Sequence, residues 1–392
     1  MKSITFLIKP ASSLCNLRCR YCFYEDEAEN RSMPSMGIMN QETAELLINE
    51  AYQEAGSKLI SFAFQGGEPT VCGLDFFKHF TAYARANKPQ NVQLAFSIQT
   101  NGTLLDDEWA DYFHKEEFLV GLSIDGHKDL HNRHRVDSSG KDTWNKVIRA
   151  AELLKKHRVE TNALCVVTGP LSRSAAKVYQ NLKKLGFRYQ QYIACLDPIG
   201  VSRGSTPWSL TPKAYGEFLC QLFDLWYRDW ENGDYHSIRL FEDYIHIMLG
   251  DEGSTCATCG KCGSYFVAEG DGSLYPCDFF VLDDWKMGML GEASLSELQN
   301  GEVCQRFLSF GTQKPAECQT CPYRQLCNGG CKNDWITEDG RPFTWKNALS
   351  QDTGAHAPHN YFCESFRMLF NYAGDRMNII AREEYRARSQ YS

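Results

Sequence analysis

The sequence predicts an α/β protein: a parallel sheet, open or closed into part of a β/α barrel, followed by a small cysteine-rich domain and a C-terminal helix. Three observations in its 392 residues predict this. Short apolar or alternating runs recur through the first half, each followed by an amphipathic stretch. Polar, glycine-rich segments follow the runs. From Cys256 onward the chain becomes dense in cysteine, glycine and short turns.

The runs, in order, are SITFLI, LISFAF, VQLAFSI, FLVGLSI, ETNALCVV and RYQQYIA. Between them lie helical patterns such as NQETAELLINEAYQEA, with Asn40 as its expected cap, and DTWNKVIRAAELLKKH, with Asp142 as its expected cap. Strand-then-helix units of this kind make a parallel sheet. The segment TPKAYGEFLCQLFDLWYRDWENG, with Pro212 at its start and Gly233 at its end, reads as a connecting helix with an aromatic core stripe.

Net charge of -8 and a pI near 5.7 argue against a general grip on nucleic acid, which needs a basic face. The opening MKSITFLIKPASS is neither a signal peptide nor an anchor, and no long apolar run follows, so a cytoplasmic, membrane-free chain is expected. In that compartment 17 cysteines read as metal or cluster ligands rather than a disulfide framework.

Polar segments collect after the runs: LCNLRCRYCFYE after the first, then QGGEPT, QTNG, SIDG and CLDP. Carboxyl ends of parallel strands are where such sheets carry chemistry. Cys15, Cys19 and Cys22 form a C-x3-C-x2-C array with no fourth cysteine nearby. Three thiolates can hold three corners of a [4Fe-4S] cluster and leave one iron open for a small molecule.

At this point the sequence resembles the radical S-adenosylmethionine superfamily, through the array with Tyr21 before its last cysteine and the GGEP that follows the second run. The resemblance implies a partial (β/α)6 TIM-like barrel. It also implies an open iron that binds S-adenosyl-L-methionine and a 5'-deoxyadenosyl radical that takes hydrogen from substrate. On the matching positions it implies that Gly66, Gly67 and Glu68 lie near the methionine amino group. Tyr21 lies in the cluster loop, Ser123 and Arg135 contact the cofactor, and Leu196 contacts adenine. For Arg135 the bland alternative is a solvated basic stretch.

The later cysteines are Cys256, Cys259, Cys262, Cys277, Cys318, Cys321, Cys327, Cys331 and Cys363, with CQTCPYRQLCNGGC as their densest stretch. This resembles the SPASM extension, which implies two auxiliary [4Fe-4S] clusters, hence three clusters in all. The family partition is Cys256, Cys262, Cys277 and Cys331 for one, and Cys318, Cys321, Cys327 and Cys363 for the other, leaving Cys259 spare. Two four-cysteine zinc sites are the competing physical reading. Cys72, Cys165, Cys195, Cys220 and Cys304 read as buried or incidental thiols, with Cys195 ending a strand at the site.

FLIKPASSLCNLRCRYCFY, FAFQGGEPT, QTNGTLLD, FLVGLSIDG and YPCDFFVLDDWKMG narrow the resemblance to the anaerobic sulfatase-maturating enzymes. That family implies oxidation of a cysteine or serine in a C/S-x-P-x-R type motif of an unfolded sulfatase polypeptide to Cα-formylglycine. It implies Asp278 as the base for the side-chain proton, with a capping aspartate as the alternative. Tyr24 and Gln65 would orient the peptide. A reducing partner such as flavodoxin or ferredoxin and a monomeric enzyme are expected.

The expected division is 1–234 for the barrel and connecting helix, 235–363 for the auxiliary clusters and 364–392 for the terminal helix. Departures from the family pattern are MGML near 288 and the long segment between Cys331 and Cys363, which bears on substrate reach. The rival chemistry is a maturase that forms thioether or carbon-carbon crosslinks in a ribosomal peptide. It is disfavoured because the chain opens directly on its first strand. A non-catalytic metal-binding module and a radical enzyme acting on RNA are weaker rivals.

Overall fold

The structure is a computed structural model that describes residues 3–54, 56, 58–263, 265–310, 314–337, 340–343 and 358–390. Residues 338, 339 and 344–357 of the departing segment between Cys331 and Cys363 fall outside the described residues. The chain divides into two compact units: residues 1–124, 131–162 and 264–307 form the first, and 125–130, 163–263 and 308–392 the second.

In chain order the strands are β1 (Ser3–Ile8), β2 (Leu59–Phe64), β3 (Gln93–Thr100), β4 (Leu119–Ser123), β5 (Thr161–Val167), β6 (Tyr189–Ala194), β7 (Ser237–Ile238), β8 (Phe266–Ala268), β9 (Ser273–Tyr275) and β10 (Gly288–Met289). The six expected runs all form strands. In the first unit the order is β10-β9-β8-β1-β2-β3-β4, and in the second β5-β6-β7. β1, β2, β3 and β4 pair in parallel, and the register aligns Phe6 with Phe62 and Phe62 with Phe96. Their rings stack at 6.1 and 6.0 Å, a ladder of same-face neighbours that pins the register. Helix Leu74–Ala86 covers the sheet through Phe77 and Phe80, which meet Phe64 edge-on at 4.9 and 5.0 Å.

Helix Gln41–Gln53 starts as expected, with Asn40 accepting from the Thr43 amide. The second cap differs. Helix Trp144–Lys156 begins after Thr143, and Asp142 is exposed and does not cap it. The Trp144 amide instead donates to Asn132, while the Thr143 hydroxyl turns inward to the Arg135 carbonyl. A local signal gave way to a longer-range partner.

The composition also hides β8, β9 and β10. Residues 264–307 carry these strands onto the second edge of β1, where β8 runs parallel with Phe6 opposite Phe266. At two or three residues each, they are too short to show a period.

In the second unit, helix Pro212–Glu231 packs along the terminal helix Cys363–Gln390. Thr211 caps the first, Pro212 occupies its first turn, and Gly233 follows it with φ +73°. Gly216 permits the crossing: a β-carbon there would meet Met368 Sδ at 2.8 Å and Ser365 Cα at 3.1 Å.

Candidate active site

The first-unit site is built on the segments that leave β1, β2, β3 and β8. Cys15, Cys19 and Cys22 occupy one loop after β1, all three half-buried and none in a disulfide. The loop is pinned from two sides. Amides of Arg18 and Arg20 donate to the carbonyls of Val136 and His134 at 2.8 and 3.0 Å, and Gly67 and Glu68 amides donate to the carbonyls of Ser12 and Leu14, both at 2.8 Å. Glycine is required for this approach, since a β-carbon on Gly67 would lie 2.1 Å from Leu14 O and one on Gly66, at φ +109°, 2.9 Å from Ser12 O.

Burial pushes the Cys15 thiol up to about 11 and raises Cys22 as well. A desolvated thiolate needs a cation, and Cys15 Sγ already accepts from the Leu17 amide at 3.3 Å, the kind of hydrogen bond a metal-bound sulfur receives. Three half-buried thiols in one short loop, with backbone donors at Cys15 and Cys22, fit a cluster with one open corner.

Glu68 is buried, and its carboxylate is occupied: Oε1 accepts from the Thr70 amide and the Thr70 and Thr100 hydroxyls, and Oε2 from the Asn101 amide at 2.7 Å. It therefore locks the GGEP turn to the end of β3. Asn101 in turn reaches toward Cys15 Sγ at 3.9 Å. Arg135 is buried rather than solvated, and its guanidinium stands 5.5 Å from the Tyr21 ring. Ser123 ends β4, half-buried. Leu196 lies in the second unit, after β6. Asp197, in the same loop, accepts from the Gly204 amide and the Thr206 hydroxyl, and Asp125 of SIDG accepts from the Val166 amide, so both acids act as loop ties.

Tyr24, Gln65 and Asp278 come together. The Tyr24 oxygen lies 2.7 Å from Asp278 Oδ2 and 2.8 Å from Gln65 Oε1. A phenol has one proton, and the carboxylate is the stronger acceptor. Burial raises Tyr24 well above the usual tyrosine range, so it stays a donor. Asp278 Oδ1 has no properly formed hydrogen bond and lies 3.5 Å from Lys9 Nζ. Asp278 is the first residue of a short turn whose N-cap position is Cys277, and its Oδ2 is taken by Tyr24.

Sequence reasoning missed what surrounds Asp278. Lys9 is buried and also lies 3.1 Å from Glu27 and 4.0 Å from Glu269, which Arg31 meets at 2.7 Å. Burial raises Glu27 to about 7 and raises Asp278 too, against the pull of Lys9. The available signal was a lysine directly at the end of an apolar strand.

The second unit gathers the later cysteines around two cavities. One of about 780 Å³ is lined by Cys318, Cys321, Cys327 and Cys363, with Cys259 also on its wall. The other, about 200 Å³, is lined by Cys256, Cys262 and Cys331. Cys277 belongs to the first unit and is buried, with the Tyr265 hydroxyl donating to its sulfur at 3.5 Å. Five thiols line one space, Cys259 among them, and three line the other, so each space offers thiolate ligands of the kind an iron-sulfur cluster takes. Among the described residues no histidine lines either cavity.

Comparison with known proteins supports the same division of labour. Residues 10–179 match the model of the radical SAM superfamily, and residues 256–322 match that of an iron-sulfur cluster-binding domain. The chain is 41% identical to a cysteine-type anaerobic sulfatase-maturating enzyme of Clostridium novyi, over 97% of this chain and 98% of the relative. It is 42% identical to one of Clostridium perfringens, over 97% and 99%. A solved structure described as native anSMEcpe with bound AdoMet and Cp18Cys peptide superposes with a TM-score of 0.88, at 41% identity and covering 97% of this chain and 99% of that one.

Proposed function

Because the chain belongs to the anaerobic sulfatase-maturating enzymes of the radical S-adenosylmethionine superfamily, we propose that it oxidises a cysteine in an unfolded sulfatase polypeptide to Cα-formylglycine. The observation that carries this reading is the buried Asp278 carboxylate, with one oxygen held by Tyr24 and the other without a formed hydrogen bond, beside Gln65. It is suited to receive a proton from a side chain presented between them.

Cys15, Cys19 and Cys22 would hold the cluster that binds S-adenosylmethionine, and Cys256, Cys262, Cys277 and Cys331, with Cys318, Cys321, Cys327 and Cys363, the two auxiliary clusters. When bound, these groups supply the reducing electron, the radical that takes one hydrogen atom from Cβ, and an acceptor for the electron released. The chain's own residues do the rest. Gly66 and Gly67 would let backbone approach the methionine end of the cofactor, Arg135 and Ser123 would offer it polar contacts, and Leu196 would be its adenine contact. Asp278 takes the sulfur proton. The substrate thus loses a hydrogen atom, a proton and an electron to become a thioaldehyde. Water then converts the thioaldehyde to the aldehyde, releasing hydrogen sulfide.

The cysteine preference rests on the cysteine-type relatives. Residues 1–234, 235–363 and 364–392 are proposed as the catalytic-cluster region, the auxiliary-cluster region and the terminal helix. A monomer in the cytoplasm, reduced by flavodoxin or ferredoxin, completes the reading. Among the described residues no helix is long and apolar enough to cross a membrane.

The test is mass spectrometry of a C-x-P-x-R type peptide and its serine counterpart, incubated anaerobically with reconstituted enzyme, reductant and S-adenosylmethionine. A loss of about 18 Da from the cysteine peptide, matched by 5'-deoxyadenosine, is expected from sulfur-to-oxygen exchange and removal of two hydrogens. Cofactor cleavage without that loss would discard the sulfatase substrate in favour of peptide crosslinking.

A further inference from the structure

Lys314 lines both cysteine cavities. Its stem crosses the turn between Cys327 and Cys331: a β-carbon on Gly329 would meet Lys314 Nζ at 2.9 Å and its Cδ and Cε at 3.1 Å. The ammonium stands 4.2 Å over the Trp335 ring, and the Trp335 indole donates to the Gly329 carbonyl at 3.0 Å, which ties the ring to the same turn. Gly329, at φ +85°, takes a backbone conformation that a side chain would strain, so the turn is shaped to let the lysine lie across it. Burial lowers Lys314 below the usual lysine range, and the sulfurs of Cys262 and Cys331 in the smaller cavity and of Cys318 and Cys327 in the larger pull the other way, so both sets favour its charged form.

Lys261 also lines both cavities, but it is exposed, where solvent screens its charge. Lys314 is half-buried and close to both sets. Reducing a four-iron cluster adds one negative charge to an already anionic thiolate site. A nearby desolvated cation therefore favours the reduced form of whichever cluster it faces.

We propose that Lys314 is the shared electrostatic control of the two auxiliary clusters, its ammonium holding both reduction potentials up so that the electron released from substrate is accepted. Lys314 touches neither substrate nor S-adenosylmethionine in this account; it acts through the clusters. The inference rests on the cluster assignment above, and the test separates the two.

Iron content and EPR-monitored reduction potentials are measured on the reconstituted full chain, for wild type, Lys314→Met, Lys314→Arg and Lys261→Met. Wild type should hold about twelve irons, as three four-iron clusters require. With iron intact, Lys314→Met should lower both auxiliary potentials by at least about 59 mV, a tenfold loss in the one-electron reduction constant. Lys314→Arg and Lys261→Met should stay near wild type. Unchanged potentials in Lys314→Met, a shift in only one cluster, or an equal shift in Lys261→Met would each overturn the inference. Iron loss from either Lys314 variant would make the residue a strut of the turn and overturn it as well. Wild-type enzyme with only about four irons would instead sink the cluster assignment itself.

Discussion

Replacing Asp278 with asparagine isolates proton removal from the other parts of the reaction. The structure can absorb the change. The new amide can turn its oxygen toward Lys9 and its nitrogen toward the Tyr24 oxygen, because Tyr24 can then donate to Gln65 Oε1, already 2.8 Å away. The buried charges stay within one of balance. Lys9 and Arg31 face Glu27, Glu269 and Asp278; with Glu27 ionised the variant changes two positive against three negative into two against two, and with Glu27 protonated it changes two against two into two against one. Lys9 keeps Glu27 at 3.1 Å. Folding and cluster content should therefore be retained.

A positioned general base contributes roughly 10²–10⁴ in rate, or about 3–5 kcal/mol of barrier. The assay counts two products in one reaction, formylglycine peptide by mass and 5'-deoxyadenosine by chromatography. In Asp278→Asn, 5'-deoxyadenosine should continue to form while formylglycine falls by roughly 10²–10⁴, so that cofactor cleavage becomes uncoupled from oxidation. Unchanged formylglycine would remove Asp278 from the chemistry. A parallel fall of both products, at equal iron content, would mean that Asp278 shapes the site rather than taking the proton.

Three further outcomes are expected. Alanine at Cys15, Cys19 and Cys22 together should remove about four of about twelve irons and abolish 5'-deoxyadenosine formation; loss of all iron would instead point to a folding role for the loop. Gly67→Ala drives a β-carbon to within 2.1 Å of the Leu14 carbonyl, a backbone atom that cannot rotate away, so S-adenosylmethionine affinity by equilibrium dialysis should fall at least about tenfold, and a change under about twofold would refute the close approach. Glu27, raised to about 7 when folded against 4.5 when not, holds a proton that the unfolded chain has shed between those values. On this account stability should fall as pH rises through that window, by no more than about 3 kcal/mol. Glu27→Gln should flatten the slope in denaturant titrations, and an identical slope would contradict the assignment.

Much of this was legible because the informative features are local. Six apolar runs, a three-cysteine loop and two glycines that must lack side chains all appear within short windows, and in the first unit the parallel pairing of β1 to β4 brings the carboxyl ends of those strands together. The cap of helix Trp144–Lys156 was misread because Asn132, twelve residues upstream, outcompeted the adjacent Asp142. Glu68 was legible as part of the GGEP turn, but its four donors were not, since they come from Thr70, Thr100 and Asn101. The buried charge cluster left little trace in sequence, because Lys9, Glu27, Arg31, Glu269 and Asp278 span most of the chain.

The physical link among those five residues is the pairing of β8 with β1. Ile8 stands opposite Ala268, and the Lys9 amide donates to the Ala268 carbonyl at 2.8 Å, so the two parallel strands end together. The next residue on each is charged, Lys9 on one and Glu269 on the other. Asp278 then enters on the turn that follows β9, within 3.5 Å of the same lysine. A one-residue slip of β8 would send the Glu269 side chain to the opposite face and leave Arg31 buried without its carboxylate. A strand of three residues thus fixes the register of the acid-base site, which explains why β8 is wholly buried although it is too short to be recognised by its period.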